Sequence, residues 1–203
     1  MKLSLMRLWG VLVILLGVAH SAAPSFAGYT PIGFGLAPPA QLPPRSFSIV
    51  GARLSAGYGV NKDVYGVDLG TIGNITENQF VGIGVSGLFN WNKGHATVIG
   101  LQAALGANIN VNKARIIGLQ VSGWNANLAE STMVGLGFGL GNQSPNTTMI
   151  GLQAGLYNTA RHVYGFQIGL VNRAENLHGI QIGLLNFNTH GLFSLAPILN
   201  IGF

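Results

Sequence analysis

The side chains that could carry chemistry are few. Arg53 and Asp68 are the only charges that fall clearly inside predicted strands, and alternation places both on the interior side of adjacent strands. This pattern favours a buried ion pair that fixes strand register, with a ligand-orienting pair as the alternative. The sequence contains no paired carboxylates spaced for acid–base catalysis.

A second polar set recurs in one sequence context, in phrases such as GFQIGLVN and GIQIGLLN. Alternation places these amides on the interior side of their strands, where they could hydrogen-bond to one another across a narrow lumen. We interpret them as core filler, and a path for a solute is the alternative. The set comprises Gln102, Gln120, Gln153, Gln167 and Gln181.

No enzyme signature accompanies these residues. His95, His162 and His190 lack acidic partners and the spacing of a metal site, so they are expected to be solvated turn residues. Ser86 and Ser122 lack the GxSxG elbow of a hydrolase, and there is no phosphate-binding loop or HExxH motif. The sequence therefore predicts no catalysis, no cofactor and no metal.

The elements that position these side chains form a repeat. The repeat is anchored on glycines that recur every 14 to 18 residues, and an asparagine follows most anchors after seven or eight places. In one unit Tyr164, Phe166 and Ile168 alternate with Gly165 and Gln167, which indicates a strand. The anchors are Gly51, Gly66, Gly82, Gly100, Gly118, Gly135, Gly151, Gly165 and Gly179.

The chain divides into three segments. Residues 1–27 have the basic start, apolar run and small-residue end of a secretory signal peptide. Residues 28–46 are Pro-rich and are expected to be an extended lead-in rather than a strand pair. Residues 47–203 hold the repeat and are predicted to form a single β domain. Removing Lys2 and Arg7 with the signal leaves eight basic and five acidic residues, with no basic cluster for nucleic acid.

Strand length favours antiparallel hairpins over a parallel solenoid. A straight strand of ten residues extends about 33 Å, and the four residues left in a short unit cannot carry the chain back. Residues 173–176 are therefore predicted to close a hairpin. A repeat β-solenoid is the alternative, and it requires each strand to break into two arms at its central glycine. The predicted fold is all-β, an antiparallel up-and-down β-barrel of about ten strands.

Two further features suggest a membrane barrel. Charged residues make up 7% of the chain, against about 25% in ordinary soluble domains. Aromatic residues flank alternate turns, as in the aromatic belts of membrane barrels. The final strand, which ends at Phe203, resembles the C-terminal signal by which outer-membrane barrels are recognised for assembly. Its Pro197 and the short loops throughout depart from that pattern.

The phrases GFQIGLVN, GIQIGLLN and GLQAGLYN resemble bacterial surface-repeat proteins of uncharacterised function, over roughly residues 47–203. We expect a structural or surface-interaction protein of the bacterial outer membrane, with the lipid bilayer and the assembly machinery as partners. The alternatives are a narrow channel or small-solute transporter, and a secreted, soluble β-solenoid acting as an adhesin or coat protein at the cell surface. The sequence makes no prediction about oligomeric state.

Overall fold

The computed structural model describes residues 28–203, so the predicted signal peptide, residues 1–27, lies outside the described residues. All regular structure in the described range is β-strand. The strands are β1 (Tyr29–Ala37), β2 (Ala40–Leu42), β3 (Ser48–Ser55), β4 (Tyr58–Gly70), β5 (Gly73–Ser86), β6 (Phe89–Asn92), β7 (His95–Ala104), β8 (Ala107–Asn110), β9 (Ala114–Val121), β10 (Trp124–Asn127), β11 (Ser131–Phe138), β12 (Gly141–Ala154), β13 (Tyr157–Ile168), β14 (Val171–Asn188) and β15 (Leu195–Gly202).

The strands of the repeat pair in parallel, one coil upon the next. Gly165 of β13 lies beside Gly151 of β12 on one side and Gly179 of β14 on the other. β14 runs without interruption through residues 173–176, where a hairpin was predicted. The antiparallel barrel is therefore wrong, and the fold is the alternative, a β-solenoid of about 10 turns.

A turn after each glycine-bearing arm explains why the strand-length argument fails. The chain bends at Gly169 and Leu170, directly after the arm that contains Gly165, and a second arm carries the chain back. Gly165 itself has φ +136°, a conformation that side chains rarely adopt, and a Cβ there would lie 2.1 Å from the Gly151 carbonyl oxygen. All nine anchor glycines have positive φ, between 94° and 150°. Each predicted ten-residue strand therefore contains a turn and is not straight, so its length does not prevent the chain from returning within one coil.

The core lies between the two arms of each coil. The residue two places before each anchor glycine points inward and forms an apolar column along the axis, while asparagines project from the second arm. Every member of the column is at least 97% buried. It consists of Ile49, Val64, Phe80, Val98, Ile116, Met133, Met149, Val163 and Leu177.

Both ends of the solenoid are covered by strands that break the repeat. β1 pairs in parallel with β3, and β2 pairs antiparallel with β1, so the Pro-rich segment contains a strand pair that the sequence does not predict. β15 runs antiparallel to β14, with a bulge between Gly183 and Asn186. Phe203 therefore follows a capping strand rather than a barrel strand. β2 is only three residues long, and β15 contains Pro197 beside the bulge, features that discourage edge-to-edge association.

The bias of aromatic residues toward alternate turns also has a cause within the solenoid. The Phe89 ring covers Gly73 of the preceding coil, and the Trp124 ring covers Gly141 of the following coil. In this row each large ring therefore lies against a small residue, whereas elsewhere the rings of Tyr164 and His178 stack on successive coils. Packing along this row accounts for part of the bias, which therefore does not require a membrane rim.

Candidate functional site

The site residues predicted from sequence all lie in one interior column, two places after the anchor glycines. Arg53 pairs with Asp68 in the β3–β4 register, and Gly84 and Gln102 continue the column. Parallel stacking therefore brings together residues that are far apart in the chain. The remaining members are Gln120, Gly137, Gln153, Gln167 and Gln181.

Arg53 and Asp68 form a bidentate ion pair at the N-terminal end of this column. Arg53 Nε donates to Asp68 Oδ1 at 2.8 Å and Nη2 donates to Oδ2 at 2.6 Å, and both side chains are 2% exposed. Arg53 Nη1 also donates to Asn61 Oδ1 and to the Ile75 carbonyl oxygen. Burial raises the pKa of Asp68, and the charge of Arg53 opposes that rise. The pair is fully hydrogen-bonded and shielded from solvent.

The glutamines form a ladder that is interrupted once. Gln181 Nε2 donates to Gln167 Oε1 at 2.8 Å, and Gln167 Nε2 donates to Gln153 Oε1 at 2.8 Å. Gln120 donates to Gln102 at 2.9 Å in the same direction. The break falls at Gly137, where the space next to the glycine is bordered by the Met133 side chain. The ladder fills the interior of the coils.

An asparagine ladder on the second arm is longer and unbroken. Each Nδ2 donates to the Oδ1 of the next asparagine at 2.8 to 3.0 Å. Each Nδ2 also donates to a main-chain carbonyl, as Asn158 does to Ile168 at 3.0 Å. The sequence shows the regular asparagines, but only the solenoid alternative gives them a role. The members are Asn74, Asn90, Asn108, Asn125, Asn142, Asn158, Asn172 and Asn186.

The outer surface of the glycine-bearing arms is an apolar face. Its apolar side chains are each at least 36% exposed, and between residues 50 and 182 the rows that form it contain no Asp, Glu, Lys or Arg and one histidine, His178, whose ring stacks on Tyr164. The face consists of Val50, Leu54, Val67, Leu69, Ile83, Ile99, Ile117, Val134, Leu136, Ile150, Tyr164, Phe166, Ile168 and Ile182. A folded monomer rarely leaves so many neighbouring apolar side chains exposed.

The two turns of each coil differ sharply. The turn after the glycine-bearing arm carries an apolar ridge, made of Ile72, Leu88, Leu105, Leu140, Leu156, Leu170 and Leu184. The turn that leads into the next glycine-bearing arm carries a charged edge, made of Lys62, Glu77, Lys93, Lys113, Arg115, Glu130, Arg161 and Glu175. Arg161 and Glu175 are paired there at 3.3 Å. The solenoid is therefore amphipathic across its width.

The histidines do not assemble a metal centre. His95 and His162 lie near the charged edge, and His190 contacts the Glu175 carbonyl oxygen through Nδ1 at 3.0 Å. Within residues 28–203 no three His, Asp or Glu side chains come close enough to hold a metal ion. In the same range no helix is long and apolar enough to cross a membrane.

Comparisons with protein-family models, with curated proteins and with solved structures each gave no match.

Proposed function

We propose that this chain is an exported structural or surface-interaction protein that lies on a lipid bilayer through its apolar face and apolar ridge. The bacterial outer membrane is the proposed location, and secretion to the cell surface is the alternative. The single observation that carries the proposal is the uncharged apolar face, continuous over the stacked coils and opposite in character to the charged edge.

The size of the apolar face supports a partner that is itself extended. Eight coil steps from Gly51 to Gly179 span about 38 Å, and six residues along each arm span about 20 Å, so the face covers roughly 760 Å². The largest apolar patch on an ordinary monomer is about 300–600 Å² and is often functional. The ridge enlarges the surface further, with Leu105 81% exposed. Such a surface favours contact with lipid or another apolar layer.

The distribution of charge supports an orientation parallel to the membrane. The charged edge runs along the repeat with one uncharged turn, residues 144–148, so a solenoid standing through the bilayer would bury Lys113, Arg115 and Arg161 in hydrocarbon at high cost. Lying flat, the molecule places these residues in water and the apolar face among the acyl chains, as interfacial amphipathic elements do. A channel along the axis is not proposed, because Gln167 and Asn158 hydrogen-bond within the interior.

A matched pair of variants tests the proposal. Val134 and Ile150 are neighbours on the apolar face, and Thr132 and Thr148 are neighbours two residues earlier on the same strands, toward the charged edge. Val134→Lys with Ile150→Lys therefore adds the same charge as Thr132→Lys with Thr148→Lys, but on a different surface. Phosphatidylcholine vesicles carry no net charge, so attraction to the added lysines does not contribute to their binding.

We expect the wild-type chain and the threonine-site variant to float with the vesicles on a density gradient, and the Val134/Ile150 variant to lose at least tenfold in bound fraction. Equal flotation of both variants, or no flotation of the wild-type chain, would contradict the proposal. A wild-type dimer in sedimentation equilibrium that only the Val134/Ile150 variant dissociates, without vesicle binding, would show that a second copy covers the face.

A further inference from the structure

A straight column of aromatic side chains lies on the outer surface of the second arms, away from the apolar face. Six successive parallel pairings align Tyr58, Gly73, Phe89, Ala107, Trp124, Gly141 and Tyr157 in one row. Aromatic and small residues alternate along this row. At about 4.8 Å per coil the column is about 29 Å long.

The glycines in the column let the rings lie in pairs. The Trp124 ring occupies the space over Gly141, and its centroid lies 6.4 Å from that of Tyr157, with the two ring planes only 16° apart. This distance between nearly parallel planes is that of rings offset from one another rather than stacked face to face. At the other end Phe89 covers Gly73, next to Tyr58. The column therefore carries two aromatic platforms on one line.

The side chain beside the C-terminal platform is an amide. Trp124 Nε1 donates to Gln143 Oε1 at 3.2 Å, which fixes the orientation of the indole. Thr159 follows Gln143 in the adjacent row but is only 6% exposed and accepts a hydrogen bond inside the coil, and the exposed Arg173 comes next in that row. Trp124 and Tyr157 remain 41% and 37% exposed. Exposed rings beside an amide and a guanidinium, which both donate hydrogen bonds, fit a ligand with apolar ring faces and many hydroxyls. A single arginine does not make the basic groove that a nucleic acid requires.

We infer that this column binds an extended, neutral β-1,4-linked glycan that runs along the solenoid axis. The pyranose rings of such a chain present C–H faces that stack on aromatic rings, while their hydroxyls point sideways toward groups such as Gln143. Two coil steps, about 10 Å, separate the backbones of successive aromatic residues. One disaccharide of an extended β-1,4 chain has a similar length. The column lies on the second arms beside the apolar ridge, since Leu156 of the ridge directly precedes Tyr157 of the column.

Titration calorimetry with chitohexaose and with cellohexaose tests the inference on the purified chain. We expect at least one of these hexasaccharides to bind, and Trp124→Ala and Tyr157→Ala each to weaken binding about tenfold or more. Tyr157→Phe keeps the ring and should stay within about threefold of the wild type. Phe166→Ala removes an equally exposed ring from the apolar face and should leave glycan affinity unchanged. Far-UV circular dichroism checks that each variant is folded.

Failure of both hexasaccharides to bind the folded wild-type chain would overturn the inference. It would also fail if Phe166→Ala weakened binding as much as Trp124→Ala, since the column would then not be the site. Loss of vesicle flotation in Trp124→Ala and Tyr157→Ala, with no glycan bound, would assign the column to the membrane surface instead.

Discussion

Replacing Asn158 by alanine tests how the asparagine ladder stabilises the solenoid. Asn158 is fully buried, accepts from Asn142 Nδ2 at 2.8 Å and donates to Asn172 Oδ1 at 2.8 Å. In the variant Asn142 Nδ2 keeps the Ala154 carbonyl at 3.1 Å, but Asn172 Oδ1 loses the one donor that it has. One buried acceptor is therefore left without a hydrogen bond.

The magnitude follows from that orphaned oxygen. An unsatisfied buried polar atom costs about 1–3 kcal/mol, and each lost hydrogen bond contributes about 1 kcal/mol. We expect Asn158→Ala to lower the free energy of unfolding by about 3 kcal/mol. Asn186 is the matched control, because it is the last member and also fully buried. Its removal orphans no asparagine, since Asn172 Nδ2 keeps the Ile182 carbonyl at 2.9 Å. Asn186→Ala should cost about 1–3 kcal/mol less.

Equilibrium urea unfolding measures both variants, followed by circular dichroism and by tryptophan fluorescence so that coincident transitions establish two-state behaviour. A loss below about 1 kcal/mol for Asn158→Ala would refute the argument from the orphaned oxygen. Equal losses of stability for the two variants would refute the directional ladder. If every amide donates toward the C-terminus, removal of the last asparagine leaves no acceptor without a donor, so its loss should destabilise the fold less.

Three further outcomes are expected. Gly165→Ala should destabilise the fold more than Gly100→Ala does in urea unfolding. Both glycines have positive φ, but a Cβ at Gly165 lies 2.1 Å from the Gly151 carbonyl oxygen, whereas a Cβ at Gly100 lies 3.7 Å from the Ile83 side chain. Equal effects of the two substitutions would contradict the steric argument. Arg53→Met should cost about 3–5 kcal/mol at neutral pH, and adding Asp68→Leu should recover most of it. Burial raises the pKa of Asp68 above its usual 3.8, and removing the arginine raises it further. The stability of the Arg53→Met variant should therefore be closest to that of the wild type below pH 3.8, and it should fall as pH rises through the pKa of Asp68 in the folded state. A stability difference that does not depend on pH would contradict this prediction.

Local pattern predicts much of this fold. The alternation around Gly165 predicts strands, places Gln167 inside and exposes Phe166, and all three features hold in the solenoid. These properties depend only on the two-residue period of an extended chain, which a barrel strand and a solenoid arm share. The period therefore identifies which side chains are buried, but it does not distinguish parallel from antiparallel neighbours.

The properties that escape prediction depend on contacts between coils. The sequence does not show that Gly165 has positive φ, because the glycine could equally be required only for its small size. The close approach of Gly165 to the Gly151 carbonyl depends on the neighbouring coil. Trp124 lies beside Gly141 because of the register in which successive coils pair. Since the sequence does not show this register, the alternation of aromatic residues is wrongly assigned to the rim of a membrane barrel. The strand pair formed by residues 28–46 depends on docking against β3.

The two interior ladders have opposite polarity along the axis. Each asparagine of the ladder from Asn74 to Asn172 donates toward the C-terminus, as Asn142 does to Asn158, whereas the amides of Gln120, Gln167 and Gln181 donate toward the N-terminus. Bonds to the main chain fix both directions, for example from Asn158 to Ile168 O and from Gln181 to Phe187 O. Aligned amides polarise one another, so each row acts as a line of summed dipoles. The glutamine row has three such bonds and the asparagine row has seven, so the glutamines offset part of the asparagine dipole inside the same coils. The glutamine row thereby reduces the charge separation that would build up between the two ends as the repeat lengthens.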